Sequence, residues 1–182
     1  MHFGQMPKIM REDLQAGAVM TLASPPNADG YMSIGVSIDY TKSLIDWARF
    51  SVVEVNPNVP RVLGDCRVHV SEVSAIVESD HNIFELPNPP RAPEDEKIGA
   101  LIAERIPDGA TIQLGYGATS SAVGLSLLDH KHLGIHTEMF VDAMRILMDA
   151  GVADNSRKSI NSGKTLYTFA AGTRETYDFL HE

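Results

Sequence analysis

The sequence predicts an α/β protein built on parallel, wound sheets, arranged as two partial domains. Three observations predict it. Short apolar runs of strand length alternate with amphipathic stretches of helix length, and turns rich in Gly, Pro, Asn and Asp separate them. Four of the ten prolines gather between Leu86 and Pro93, where they remove backbone donors and favour extended chain, and they divide the sequence into two such series. The expected division is residues 1–86, a proline-rich linker over 87–93, and residues 94–182.

In the first series Ala18–Ala23 reads as a buried strand, and Ser24–Gly30 as a loop. Thr41–Arg49 reads as a short helix with Leu44, Ile45 and Ala48 on one side. Val52–Val55 and Ala75–Val77 complete the strands. Residues 1–17 offer little to cover one face of that sheet. In the second series, Pro93 and three following acids open a helix to about Arg105, favouring the positive end of its dipole, with Ile98, Leu101 and Ile102 as its apolar stripe. Ala110–Leu114 is a strand, Gly115–Gly117 a tight loop, and Ser120 or Ser121 a cap for a helix to about Leu128. Leu133–His136 is a strand, Asp142–Ala150 a helix ended by Gly151, Lys164–Ala170 a strand, and Arg174–Leu180 a helix.

At 182 residues the chain can bury a real core, and its 43% hydrophobic and 21% charged composition excludes disorder and collagen. A net charge of −9 opposes binding to nucleic acid or anionic lipid, which both need clustered Lys and Arg. No apolar run reaches membrane-spanning length, and Met1–Gln5 lacks the basic and apolar regions of a secretory signal. The single cysteine, Cys66, excludes an internal disulfide and points to a reducing cytoplasm. It reads as a small buried filler, with a nucleophile as the alternative.

The chemistry-bearing stretch is Gln113–Ser121. Two glycines between a strand and a helix let the backbone approach a ligand, and free N–H groups at the helix start suit a pyrophosphate, a carboxylate or an oxyanion. A plain βα turn is the competing reading. A dinucleotide fingerprint would need glycine at position 120, where Ser120 stands. Glu138 follows the next strand, so it would meet the Gly115–Gly117 loop at the same carboxyl edge, where wound sheets bind ligands. It suits a nucleophile or base, or alternatively a helix-initiating acid. His130, His132 and His136 have no usual zinc spacing. His69 and His81 show no evident partners. Asp39, Asn56, Asn58 and Arg61 lie near expected strand ends, and the segment Glu54–Arg61 could line a cleft or form a turn with a solvated arginine.

These residues carry a resemblance. Ala23–Ser37, Glu54-Val55-Asn56 with Pro60-Arg61, Gln113–Gly117, Asp129-His130-Lys131 and Leu133–Phe140 are similar to the acetyl-CoA hydrolase/transferase family, especially its 4-hydroxybutyrate and butyrate CoA-transferases. Asn155–Lys158, Gly163-Lys164, Gly172-Thr173 and Tyr177–Leu180 extend the likeness along nearly the whole chain. The resemblance implies two α/β domains of the CoA-transferase type, with residues 1–86 as the later part of the first and 94–182 as the front of the second. The chain is then expected to be an internal piece, with Met1 an internal methionine.

The resemblance also implies roles. Glu138 becomes the catalytic nucleophile of a ping-pong exchange, and Gly115, Tyr116, Gly117, Ala118 and Thr119 become the CoA-binding loop. No metal and no permanently bound cofactor are implied; CoA and acyl-CoA are substrates, and a short-chain carboxylate is the other partner. A cytoplasmic homo-oligomer is expected, acting on neither nucleic acid nor membrane. Hydrolysis of acyl-CoA, and a non-catalytic CoA-binding fragment, stand as alternatives. Two departures bear on loop geometry. Thr119-Ser120 replaces a common apolar residue and proline, and Val141-Asp142-Ala143 replaces Ser-Asp-Gly.

Overall fold

The computed structural model describes residues 2–181; Met1, expected to be internal to a longer protein, and Glu182 lie outside the described residues. The protein is α/β with parallel sheets. Residues up to Phe84, joined by the C-terminal end from Leu180, make one compact unit, and Glu85–Phe179 makes the other.

The first unit begins with helix α1 (Met6–Glu12), in a region whose sequence carries no clear helical stripe. Met10 and Ala16 from this region pack against the core. Strands β1 (Ala18–Ala23), β3 (Phe50–Val55) and β5 (Ala75–Glu78) form a parallel sheet in the order β1-β3-β5. The expected strands are thus present, and β3 starts two residues earlier than its apolar run. Between β1 and β3 lie β2 (Tyr31–Ser33) and helix α2 (Thr41–Trp47). β2 pairs antiparallel with β4 (Arg67–His69), a ribbon that no alternation announces because each strand is only three residues long.

One face of the parallel sheet carries Val19, Ala23, Val53 and Val55 into a core completed by Met32, Ile34, Leu44, Ile45, Cys66 and Val68. Burial holds the Cys66 thiol pKa above its ordinary value, as expected of a packed filler. The register puts Met20 beside Val52 and Ala75, and Leu22 beside Glu54 and Val77, on the opposite face. That face is open: Met20 is 82% and Val77 53% exposed, over a hollow of about 420 Å³ lined partly by Leu22, Val52 and Glu54. Parallel sheets normally have both faces covered.

The loop after β3 does not hold a solvated arginine. Arg61 donates to the carbonyls of Pro25 (2.8 Å) and Tyr31 (3.3 Å), tying down the Ser24–Gly30 loop. Asn56 is fully buried and donates to the His81 carbonyl at 2.8 Å. Both histidines without evident partners have them: His69 meets Ser71 at 2.7 Å, and His81 meets Glu54 at 2.7 Å.

The second unit contains α3 (Pro93–Ala103), β6 (Thr111–Ile112), α4 (Ala118–Ser126), β7 (Gly134–Ile135), β8 (Met139–Phe140), α5 (Asp142–Asp149), β9 (Phe169–Ala170) and α6 (Arg174–Leu180), whose last residue counts with the first unit. β6 pairs parallel with β7, and β8 parallel with β9. The expected strand over Lys164–Ala170 shrinks to β9 and one parallel bridge between His136 and Leu166. Phe140, Leu127, Leu133, Ile135, Met144 and Leu147 are fully buried in this unit.

The stripe expected to bury α3 instead faces outward. Ile98, Leu101 and Ile102 are all exposed, and the buried face is Gly99 and Ala103. Contact with α4 explains this inversion, since a Cβ at Gly99 would lie 2.8 Å from the carbonyl of Ala122. Close backbone approach, rather than side-chain bulk, decides which side of α3 is inside.

Candidate active site

The chain leaves β6 through Gln113 and Leu114 and turns into α4 at Gly115-Tyr116-Gly117. Gly117 has φ +132° and nothing within 4 Å of where a Cβ would stand, so the backbone conformation alone calls for glycine there. It is the residue before the helix, and it supplies no side-chain cap. Ser120 and Ser121, expected as caps, lie inside α4 instead, with Ser121 buried and its N–H donating to the Gly117 carbonyl at 2.9 Å. The first N–H groups of α4 therefore have no partner within their own helix.

Two contacts shape this loop. The Tyr116 hydroxyl donates to the Pro87 carbonyl at 3.0 Å. The Thr119 hydroxyl donates to Asp95 at 2.5 Å, and that bond, with one from the Ala92 N–H, holds the Asp95 carboxyl below its usual range. The Thr119 side chain is thereby turned toward α3, leaving its backbone at the helix start. Gly124 lets α4 settle against its neighbours, because a Cβ there would lie 2.8 Å from Ala143 and 2.9 Å from Leu114.

Glu138 stands at a bend between β7 and β8. It begins no helix; that position belongs to Asp142 at the start of α5. Burial alternates along the segment: Ile135 and Thr137 are buried, while His136 and Glu138 are exposed. The main chain of Glu138 is firmly held. Its carbonyl accepts from the Thr168 N–H at 2.9 Å, the Thr168 hydroxyl at 2.7 Å and the Phe169 N–H at 3.2 Å.

The two candidate features come together through one side chain. The Thr137 hydroxyl lies 2.9 Å from the Met139 carbonyl and 3.4 Å from that of Leu114, so the residue before Glu138 touches the residue before Gly115. The segment that carries the exposed Glu138 therefore lies beside the strand end leading into a glycine turn and an uncapped helix start. Such an arrangement can attack a carbonyl and stabilise the resulting oxyanion.

The other histidines are engaged locally. His130 meets the Ile106 carbonyl at 2.9 Å, and His132 meets Asp154 at 2.7 Å. The Asp154 carboxyl is held far below its usual range, first by the Ser156 N–H and hydroxyl and then by His132. Sequence reasoning gives no role to Asp142, which is buried and accepts from the Thr173 N–H (2.9 Å), the Thr173 hydroxyl (3.1 Å) and the Thr176 hydroxyl (2.5 Å). Its pattern in sequence is that of an ordinary helix-starting acid, so only the fold reveals the convergence.

Residues 2–86 match the acetyl-CoA hydrolase/transferase N-terminal domain. The whole chain is similar to a succinyl-CoA:cyclohexane-1-carboxylate CoA transferase of Geobacter metallireducens, 41% identical over 100% of this chain and 41% of that protein. It is 42% identical to a 4-hydroxybutyrate coenzyme A transferase of Clostridium kluyveri, over 98% of this chain and 42% of the relative. The chain thus spans about two fifths of the length of these curated relatives. Among solved structures, RipA from Yersinia pestis superposes with a TM-score of 0.98 at 38% identity, covering 100% of this chain and 42% of that one.

Proposed function

We propose, from the match of residues 2–86 to the acetyl-CoA hydrolase/transferase N-terminal domain and the likeness of the whole chain to CoA-transferases, that the protein moves CoA between an acyl-CoA and a short-chain carboxylate through a thioester on Glu138. The observation that supports the reading is the contact of Thr137, the residue before Glu138, with the carbonyl of Leu114, the residue before Gly115. Residues 1–86 are then the later part of a first CoA-transferase domain, 87–93 its linker, and 94–182 the front of a second domain.

The chemistry follows from the groups present. The Glu138 carboxylate adds to the thioester carbonyl, and expulsion of CoA thiolate leaves an acyl–glutamyl anhydride. The thiolate then attacks the glutamyl carbonyl, releasing the first carboxylate and leaving glutamyl-CoA. An acceptor carboxylate attacks that thioester, freeing the thiolate and forming a new anhydride. Attack of the thiolate on the acyl carbonyl of this anhydride gives the new acyl-CoA and restores Glu138. Covalent catalysis divides one difficult exchange into easier steps. The backbone N–H groups from Gly115 to Thr119 bind CoA phosphate or a tetrahedral oxyanion, and loss of one such donor typically lowers turnover by about 10²–10³.

No helix among the described residues is long and apolar enough to cross a membrane. That the sequence holds one cysteine, Cys66, and that it is buried supports a cytoplasmic setting. The open sheet face of the first unit supports assembly with further copies as a homo-oligomer.

The test is to incubate the full-length protein with acyl-CoA and seek a CoA-sized adduct on the peptide containing Glu138. Glu138→Gln is expected to abolish both adduct and exchange while acyl-CoA still binds. Retention of exchange in that variant would reject the assignment. Release of free CoA at equal rate with and without a carboxylate acceptor would favour hydrolysis.

A further inference from the structure

Ile135 lies three residues before Glu138 in β7, and both of its backbone groups are gripped by side chains from one turn. Its N–H donates to Asn155 Oδ1 at 2.8 Å, and its carbonyl accepts from Lys158 Nζ at 2.8 Å. Neither side chain is at the surface: Asn155 is 3% and Lys158 6% exposed.

The same two side chains reach the neighbouring segment. Lys158 Nζ also donates to the Lys164 carbonyl at 2.6 Å, and Asn155 Nδ2 donates to the Thr165 hydroxyl at 2.9 Å. The turn itself is anchored, with the Asn155 N–H on the Leu133 carbonyl at 3.0 Å and the Gly163 N–H on the Asn155 carbonyl at 2.9 Å. Gly134 makes room for it, since a Cβ there would fall 2.5 Å from Lys158 Cγ. The turn therefore cross-links β7 to residues 164–165. Beyond this cross-link the two segments continue side by side, with the Leu166 N–H on the Ile135 carbonyl at 3.2 Å and the Thr137 N–H on the Leu166 carbonyl at 2.9 Å, until Thr168 and Phe169 hold the Glu138 carbonyl.

An ammonium is a costly filler. Burial away from water disfavours its charged form and holds the Lys158 pKa below its ordinary value. A methionine would occupy the same stem volume without that cost. What the lysine adds is a set of donors fixed in space, able to hold two carbonyls of different segments at one separation.

We infer that Asn155 and Lys158 are positioning residues for Glu138: by clamping Ile135 to residues 164–165 they set the separation of the two segments, and so the reach of the Glu138 carboxylate. The inference rests on the transferase reading of Glu138. Small displacements of a reacting group can cost about a hundredfold in rate, so such a clamp is felt in the chemical steps.

The experiment uses the full-length protein and measures kcat, KM for acyl-CoA, the rate of CoA-adduct formation on Glu138, and thermal unfolding. Lys158→Met keeps the packed stem and removes the donors. It is expected to lower kcat and the adduct rate together by about ten- to a hundredfold, with KM changed by less than about twofold. Asn155→Gly suits the backbone at φ +60° while removing the other half of the clamp, and it reads the same quantities if Lys158→Met does not fold. Asn155→Asp retains the acceptor for Ile135 and is expected to recover most of the loss caused by Asn155→Gly. A folded Lys158→Met protein with the wild-type adduct rate overturns the inference alone. So does a fall in activity matched by the unfolded fraction, or one confined to KM. Absence of any Glu138 adduct in the wild-type protein overturns the transferase reading and the clamp with it.

Discussion

The hydroxyl of Thr137 stands 3.4 Å from the carbonyl of Leu114, a side-chain contact between the Glu138 segment and the strand end that leads into the glycine turn. The same hydroxyl lies closer, at 2.9 Å, to the Met139 carbonyl, so it braces Glu138 from behind while reaching across to β6. Thr137→Val preserves shape and removes the donor. Leaving buried carbonyls short of a partner costs about 1–3 kcal/mol, which thermal or denaturant unfolding will read. CoA exchange is expected to fall in kcat more than in KM. An unchanged kcat in the valine variant would mean the two loops keep their places without this contact.

Gly99 sits where α3 touches the backbone of α4. Alanine is the better helix former by about 1 kcal/mol, so propensity alone predicts that Gly99→Ala stabilises. The 2.8 Å approach to the Ala122 carbonyl argues the reverse, because backbone cannot yield as a flexible side chain can. Overpacking of this kind costs about 1–3 kcal/mol, and the net expectation is a lower unfolding temperature. A rise in that temperature would show that the helices separate freely.

Asp142 holds the start of α6 by accepting from Thr173 and Thr176. Asp142→Ala strands those donors in a buried site, and hydrogen bonds to a charged group carry about 1.5–3 kcal/mol. Denaturant unfolding should shift to lower concentration. Thr176→Val should produce part of the same loss, and the double variant should lose less than the sum, since both act on one network.

The Glu54–His81 pair makes a pH prediction. The Asn82 carbonyl and then Glu54 raise the His81 pKa above its ordinary value, while the Ser79 hydroxyl and His81 lower that of Glu54. A raised His81 pKa contributes stability that is present at low pH and lost as pH rises through the folded value. A lowered Glu54 pKa contributes stability present at higher pH and lost as pH falls through its own folded value. The pair therefore acts in the window between the two, and its exposure keeps the effect small. An NMR titration should place His81 above a free histidine, and Glu54→Gln should move it back down. A midpoint indifferent to that substitution would show that the Asn82 carbonyl acts alone.

Apolar runs of strand length make β1, β3 and β5 legible from the sequence; the acids opening α3 and the bounds of α6 are legible too. The Gly115–Gly117 turn and Glu138 are legible as two features of one sheet edge, because strand ends in a wound sheet share a side. Other features depend on long-range contact and leave little local trace. β2 and β4 find each other across more than thirty residues and are too short to show a period. The orientation of α3 turns on a glycine pressed against another backbone, whereas hydrophobicity points to the opposite face. The grip of Asn155 and Lys158 on Ile135 is invisible for the same reason: an exposed turn is the ordinary reading of Asn155-Ser156-Arg157-Lys158, and only the fold turns two of those side chains inward.

The proline-rich stretch is bound into the second unit rather than loosely strung. Leu86 donates to the Gly172 carbonyl at 2.9 Å, Pro87 accepts from Tyr116, Asn88 reaches Asp142, and Glu85 accepts from the Arg174 N–H at 2.8 Å. Composition would invite a molecular biologist to cut the gene after Pro93 and express only the downstream half. That cut would strip α6 of its Glu85 acceptor and Asp142 of its Asn88 neighbour, and leave the Gly172 carbonyl bare. A clone beginning at or before Glu85 keeps these bonds, and in the intact protein the same bonds should make the prolines a poor substrate for proteases that search for slack chain.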